Sequence, residues 1–230
     1  MRQAKPGRTD RQLSPEKTAA ILEGGMQEFL THGYAATSMD RVAIAAKVSK
    51  ATVYSHFQDK ESLFIALIQR LVEQRFQSIF GAADDRILQM APQVVLRNFA
   101  NRALDIGTTE PQFLNFMRLI LGESGRFPQL ARAFVRNIEQ TTFRRLCYYF
   151  TNCPQLKLSD PEATARIFVG AIVHFMIVQE MLHGKDILPM ERDRIVDGLI
   201  DLIVEERLRS VSERESQLID NLATTPQTEG

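Results

Sequence analysis

The chain has 230 residues, 44 % of them hydrophobic, with 12 Gly, 9 Pro and a formal net charge of zero. This length holds one large domain, or a small one joined to a larger one. Sparse Gly and Pro, with few runs of Val, Ile and Thr alternating with polar residues, point to an all-α chain and away from a β-rich one.

Residues 1–12 (MRQAKPGRTDRQ) are polar and basic and interrupted by Pro6-Gly7. They read as a disordered tail or as a flexible basic arm that orders on nucleic acid. A first helix is expected from Pro15, capped by Ser14, to His32, with Ile21, Leu22, Met26, Phe29 and Leu30 as its apolar stripe and Gly33 as its stop. Two short helices follow within Thr37–Lys60. Thr37 or Ser38 can cap the first, with Asp40 in its first turn, and Met39, Val42, Ala43 and Ala46 share its inner face. Ser49 can cap the second, which turns Val53 and Phe57 inward and Lys50, Thr52, Tyr54, Ser55 and His56 outward. An ordinary solvated face mixes Glu and Lys. This one offers an ammonium, hydroxyls, a phenol and an imidazole, which suits a phosphate-lined groove. The neutral net charge hides an asymmetry in the same direction: residues 1–60 carry nine basic side chains against six acidic ones.

A fourth helix is expected over about 60–80 with Asp59 as cap, then a break at Gly81–Asp85. Further helices are expected near 90–106, 110–123, 128–151, 161–183 and 189–210, with prolines at or near the starts of several, Thr109 and Asp160 as caps and Gly184 as a stop. Ile167–Leu182 is apolar almost all round yet too short and too polar to span a membrane. A helix of that kind must be covered on every side. The next helix carries a matching stripe, so the two either complete a monomeric core or build a four-helix bundle across a twofold axis. The seam of such a bundle is expected to use Ile172, Met176, Gln179, Ile195, Leu199, Ile200 and Ile203. The domain boundaries read as 1–12 for the arm, 13–60 for the small helical bundle, 61–210 for the larger helical domain with helix 60–80 connecting the two, and 211–230 for a polar tail.

The order of residues from Ile21 to Ile68 resembles the N-terminal DNA-binding domain of the tetracycline-repressor family of bacterial transcription regulators. The likeness rests on Phe29, His32-Gly33-Tyr34, Thr37-Ser38, Ala43, Ala46, Val48-Ser49-Lys50, Val53-Tyr54, His56-Phe57 and Lys60-Glu61-Ser62-Leu63. One departure stands out: Lys47 holds the turn position that the family usually gives to Gly, at a cost of about 1 kcal/mol if the backbone there is left-handed. Arg118–Phe134 (RLILGESGRFPQLARAF) is similar to the C-terminal domain of the AcrR/AefR-like branch. The resemblance implies a helix-turn-helix bundle followed by a larger ligand-binding and dimerisation domain, a homodimer, a double-stranded DNA operator and a small-molecule effector. It also implies a repressor released from DNA by an apolar or amphipathic ligand; the alternative is a helical ligand- or partner-binding protein without specific DNA readout.

The expected DNA contacts are Lys50, Ala51 and Thr52 at base edges, and Thr37, Ser49, Tyr54, His56 and Lys60 at phosphates, with Lys47 beside them in the turn. Because the family's C-terminal core is commonly hollow, the expected ligand residues are Leu67, Phe99, Phe113, Phe116, Met117, Arg118, Ile120, Ala171, His174 and Phe175, although each also reads as ordinary packing. Arg118 can pair with a carboxylate of the protein or of a ligand, and His174 is equally a core or interface residue. Cys147 and Cys153 are too few for a disulfide framework, although a redox pair stays open. With no apolar leader, a cytoplasmic protein with reduced thiols is expected. No metal-binding spacing, Gly-rich phosphate loop, nucleophile motif or cofactor motif occurs, so neither metal, cofactor nor enzymatic activity is expected.

Overall fold

A computed structural model describes residues 14–80 and 85–204, and these are helical with no strand among them. The expected arm at 1–12 and tail at 211–230 lie outside the described residues. The order is α1 (Pro15–Ala36), α2 (Met39–Ala45), α3 (Lys50–His56), α4 (Lys60–Phe80), a short 3-10 turn (Asp85–Gln89), α5 (Pro92–Thr109), α6 (Pro111–Glu123), α7 (Pro128–Ile138), α8 (Arg144–Asn152), α9 (Pro161–Phe175) and α10 (residues 192–204). Two differences from expectation are wide helical turns, Glu139–Phe143 and Met176–Met181, which interrupt what periodicity alone joins into single long helices. The 3-10 turn is a third.

Contacts divide the chain into two compact units. Among the described residues, the first holds residues 14–72 together with Asn115–Asn137, and the second holds residues 73–80, 85–114 and 138–204.

In the first unit, Ser14 caps α1 by accepting from the Lys17 amide, and Pro15 opens the helix, where its missing N–H costs nothing. Helical geometry ends at Gly33 as expected, with the backbone at φ 77°, and a further helical turn beyond this kink carries the chain to Ala36. Gly24 permits the closest approach in this unit: a Cβ on it would lie 2.7 Å from the Ala46 backbone nitrogen. Asp59 and Ser62 start α4 reciprocally, the Ser62 amide donating to Asp59 Oδ1 (2.7 Å) and the Asp59 amide to Ser62 Oγ (3.2 Å). The core is aromatic. Phe64 meets Phe29 at 5.0 Å, Tyr34 at 5.2 Å and Phe116 at 4.8 Å, and Phe127 meets Tyr34 at 4.7 Å, mostly edge to face.

In the second unit, Leu96, Phe99, Ala100 and Leu104 of α5 pack with Leu146, Tyr149 and Phe150 of α8, Phe168 and Ile172 of α9, and Val196, Leu199, Ile200 and Ile203 of α10. Arg192 ties the start of α10 to α5, donating to the Asn101 carbonyl (2.6 Å) and pairing with Asp105 (2.7 Å). Asp160 caps α9 as expected (2.9 Å from the Ala163 amide). Thr109 is not a cap: it ends α5 and gives its hydroxyl to Asp105 O (2.8 Å). The predicted stop at Gly184 is a turn in which its amide reaches back to Val178 O (2.8 Å), with His183 at φ 56°.

The expected dimer seam is out of phase with this packing. Ile172, Gln179, Leu199, Ile200 and Ile203 are buried in the chain's own core, where Gln179 donates to Leu188 O (2.7 Å), and Met176 and Ile195 are half-buried against it. Hydropathy cannot phase a helix that is apolar all round, and the core has taken the stripe that the sequence assigned to a partner. The bare stripe is the other one: Ile167 (64 % exposed), Gly170 and Val173 on α9, and Gly198 and Leu202 (72 % exposed) on α10. Pro161–Met181 is apolar enough by composition to pass for a membrane span, yet only 22 % of its most apolar window is buried within this chain.

Candidate nucleic-acid interface

Side-chain caps and one strained residue position α2 and α3. Ser38, not Thr37, caps α2, accepting from the Arg41 amide at 3.3 Å. The helix ends through Ala46 N→Val42 O (2.9 Å) and Val48 N→Ala43 O (3.0 Å), which requires the residue between them to turn left-handed. That residue is Lys47, at φ 54°. The position where the sequence departs from the expected Gly is therefore one where Gly would relieve strain. Ser49 then caps α3, accepting from the Thr52 amide at 3.1 Å, and its hydroxyl shares a hydrogen with that of Thr52 at 2.8 Å. Val53, fully buried, anchors α3 to the core.

This leaves Lys50, Ala51, Tyr54 and Ser55 exposed and Thr52 and His56 half-exposed on one short helix. Lys50, His56 and Lys60 already have internal partners. Lys50 Nζ lies 2.7 and 3.0 Å from the two oxygens of Asp40 and 5.9 Å from the Tyr54 ring centroid. The hydrogen bond and charge of Asp40 raise the ammonium's pKa. His56 Nδ1 lies 2.9 Å from Thr18 Oγ1, whose own hydrogen goes to the Ser14 carbonyl (3.2 Å). The Thr18 hydrogen can instead turn to Nδ1, which places the ring proton on Nε2 and lets Nε2 donate to an outside acceptor. Lys60 Nζ donates to the Tyr34 (2.7 Å) and Ala35 (3.1 Å) carbonyls at the end of α1 and lies 4.5 Å from the Tyr34 ring. Partial burial lowers its pKa, against the raising influence of Glu123. The Tyr34 phenol is pushed up to about 12, first by burial and then by the negative charges of Glu61 and Asp59.

Thr37 does not belong to this surface. It is buried, and its hydroxyl turns inward to the Gly33 (2.8 Å) and Glu28 (3.1 Å) carbonyls, where it holds the kinked end of α1. The eight other expected DNA residues lie on the α2–α3 turn, on α3 or at the start of α4. Two residues that the sequence reading missed are Asp40, ten positions from Lys50, and Thr18, thirty-eight from His56. No spacing rule links either pair; only the helix crossing does.

The expected ligand residues are divided between the two units. Leu67, Phe116, Met117, Arg118 and Ile120 belong to the first unit, where Leu67, Phe116 and Ile120 are buried in packing and Arg118 donates to Asn115 Oδ1 (2.7 Å). Phe99, Phe113, Ala171, His174 and Phe175 belong to the second; Phe99 packs on Phe168 at 5.4 Å, and His174 is exposed. The second unit has a cleft of about 270 Å³ between α5, the wide turn after α9 and the start of α10. Leu104, Thr108, Phe175, Met176, Gln179, Glu180, Lys185, Pro189, Met190, Glu191 and Arg192 line it, and of the expected set only Phe175 is there. Among the described residues no group of His, Cys, Asp and Glu is arranged to hold a metal ion.

Residues 21–67 match the family model for bacterial regulatory proteins of the tetR family, and residues 94–206 match the model for the C-terminal domain of AefR-like transcriptional repressors. The chain is 26 % identical over 203 residues to the HTH-type transcriptional regulator YhgD of Bacillus subtilis, covering 85 % of this chain and 98 % of that one. Among solved structures it is similar to the flavonoid-responsive regulator FrrA, with a TM-score of 0.67, 28 % identity and coverage of 84 % and 97 %. A tetR-family regulator of Mesorhizobium loti has the same fold, with a TM-score of 0.68, 24 % identity and coverage of 83 % and 97 %.

Proposed function

The chain belongs to the tetR family of bacterial regulatory proteins, and on that premise we propose that it is a cytoplasmic homodimeric repressor. Its α3 helices read a double-stranded operator, and a small apolar or amphipathic effector releases it. That it is a transcriptional regulator with a DNA-binding domain follows from the family. The observation that carries the finer reading is the outer face of α3, where Lys50, Thr52, Tyr54 and His56 present donors at base-edge and phosphate range around a helix locked by Ser49 and Val53. In this reading Ser49, Tyr54, His56 and Lys60 hold phosphates, with Lys47 beside them in the turn, and Lys50, Ala51 and Thr52 meet bases.

Two further observations support the assembly and the signal. The bare stripe of Ile167, Gly170, Val173, Gly198 and Leu202 has the small and apolar character of a helix–helix seam, and a second copy of α9 and α10 would cover it as a four-helix bundle. The cleft of the second unit is lined by apolar side chains such as Leu104, Phe175 and Met176 and by charged ones such as Glu180, Lys185 and Glu191, which suits an amphipathic effector. The AefR-like repressor description of residues 94–206 favours repression, and the named response of FrrA favours planar aromatic compounds in the first panel tested. An effector works only if it prefers the form that does not bind DNA.

The test is retention of genomic DNA fragments by the full-length protein at several salt concentrations, followed by titration of the retained fragment with planar aromatic and aliphatic compounds. Salt-dependent, sequence-selective retention and release by one compound are expected, with release blunted in a cleft-filling Thr108→Trp variant. Retention without sequence preference would favour the alternative of a fold-mate lacking specific readout, and equal release from both proteins would remove the effector from this cleft.

A further inference from the structure

The ion pair between Asp40 and Lys50 has no evident structural purpose. Both side chains are about three-fifths exposed (60 % and 61 %), and an exposed pair contributes little to folding. It nevertheless fixes the ammonium that stands first on α3. Two carboxylate oxygens at 2.7 and 3.0 Å hold Lys50 Nζ from one side, and the Tyr54 ring approaches at 5.9 Å one turn along. An ammonium has three hydrogens. Two are taken by Asp40, and the third is left for one acceptor.

We propose that Asp40 is a positioning residue for DNA specificity, holding Lys50 for a guanine edge and withholding it from the phosphate backbone. The proposal rests on the reading of α3 as the helix that meets bases. The major-groove edge of a G·C pair presents the guanine O6 and N7 acceptors beside the cytosine amino donor. Lys50 and Asp40 together present a donor beside an acceptor, which complements that edge. On other sequences the same carboxylate works against binding. While Asp40 holds it, Lys50 meets a phosphate with its charge largely neutralised, and if it leaves, the Asp40 charge faces the backbone uncompensated. A cation tied in this way contributes less to sequence-independent affinity than a loose one, and that affinity is what a repressor must suppress to find its site.

The experiment uses the full-length protein and the duplex that it selects from a randomised library, compared with an unselected duplex of equal length. Wild type, Asp40→Asn, Asp40→Glu, Lys50→Ala and the double variant Asp40→Asn/Lys50→Ala are titrated against salt. Asp40→Asn should bind the unselected duplex about 5–10-fold more tightly, with the slope of log affinity against log salt steeper by about 0.9 for one gained phosphate contact. It should also lose a G·C preference at one position of each half-site in a repeated selection, while Asp40→Glu restores much of it. In the Lys50→Ala background the removal of Asp40 should have little effect. If Asp40→Asn acts equally in both backgrounds, the carboxylate is only a general repulsive charge and the proposal fails. If Lys50→Ala alters the selected sequence but Asp40→Asn leaves selection and salt slope unchanged, the proposal fails while the reading of α3 stands. If Lys50→Ala leaves both duplexes and the selection unchanged, the reading of α3 fails and takes the proposal with it.

Discussion

Lys47 lets backbone strain and side-chain charge be measured apart. It sits at φ 54° in the turn between α2 and α3, the conformation in which a Cβ crowds the following carbonyl at a cost of about 1–2 kcal/mol. Replacement by Gly removes that cost and returns about 0.5–1 kcal/mol through the greater freedom of the unfolded chain. The net gain expected for Lys47→Gly is about 0.5–1 kcal/mol, which raises Tm by about 1–4 °C for a chain of this size. Lys47→Ala keeps the Cβ and loses the charge, so it should be nearly neutral in stability, and Lys47→Val should be worse than either because branching crowds the turn further. The assay is thermal unfolding followed by circular dichroism at one fixed protein concentration, since association makes Tm concentration-dependent. If Lys47 also meets a phosphate, the Gly and Ala variants should both flatten the salt dependence of DNA affinity by about 0.9, although only one of them is stabilised. An Ala variant as stable as the Gly variant would refute the left-handed turn.

Lys60→Ala should cost about 1 kcal/mol by freeing two α1 carbonyls that water can partly re-solvate, and should flatten the salt slope by about 0.9 if the third ammonium hydrogen holds a phosphate; unfolding and DNA titrations read the two effects separately. Ile200→Glu, at a site 2 % exposed, should cost at least about 3 kcal/mol and unfold the second unit, whereas Leu202→Glu should keep native helicity and sediment as a monomer. A dimeric Leu202→Glu would move the seam off this stripe. Gly24→Ala should cost about 1–3 kcal/mol, because its Cβ meets backbone rather than a side chain that can turn away. Burial stabilises the neutral phenol of Tyr34, so its contribution is complete below the ordinary value near 10 and is lost as pH rises from there to about 12. Wild type should therefore lose stability over that interval by about 2–3 kcal/mol more than Tyr34→Phe.

The α2–α3 region was legible because its determinants are local. Ser38, Ser49 and Asp59 cap through atoms three residues away, and the left turn at Lys47 falls where the resembling family usually has Gly. What failed was everything that depends on how helices cross. Thr37 and Ser38 are adjacent hydroxyls that can both cap, and the carbonyls of Gly33 and Glu28 take the Thr37 hydroxyl inward while Ser38 caps. The residues expected at the dimer seam lie in or against the core for a related reason. Ile167, Ile172, Leu199 and Leu202 are interchangeable by hydropathy, and their assignment to core or surface is set by Phe168 packing on Phe99 and Phe150, far away in sequence. The candidate ligand residues were chosen as apolar side chains with Arg118 and His174 among them, and hydropathy does not separate cavity lining from packing.

The donors assigned to DNA share a property that no sequence pattern announces. Lys50 rests on Asp40, His56 on Thr18 and Lys60 on two carbonyls, so all three are held in place before DNA arrives. Fixing a long side chain on binding costs about 0.5–1.5 kcal/mol. A donor already held by a neighbour bears much of that cost in folding, so its share of the binding energy depends on whether the neighbour can be kept. His56 can keep Thr18, because the ring has a second nitrogen, and Lys60 can keep both carbonyls while offering its third hydrogen. Lys50 alone is held by an opposite charge, so its contact is the one most sensitive to what DNA presents in exchange. Affinity should therefore reside mainly with His56 and Lys60, and discrimination with Lys50. On that division His56→Ala should weaken the selected and unselected duplexes by similar factors and leave the selected sequence intact. A change in the selected sequence would mean that His56 reaches a base and that the division is wrong.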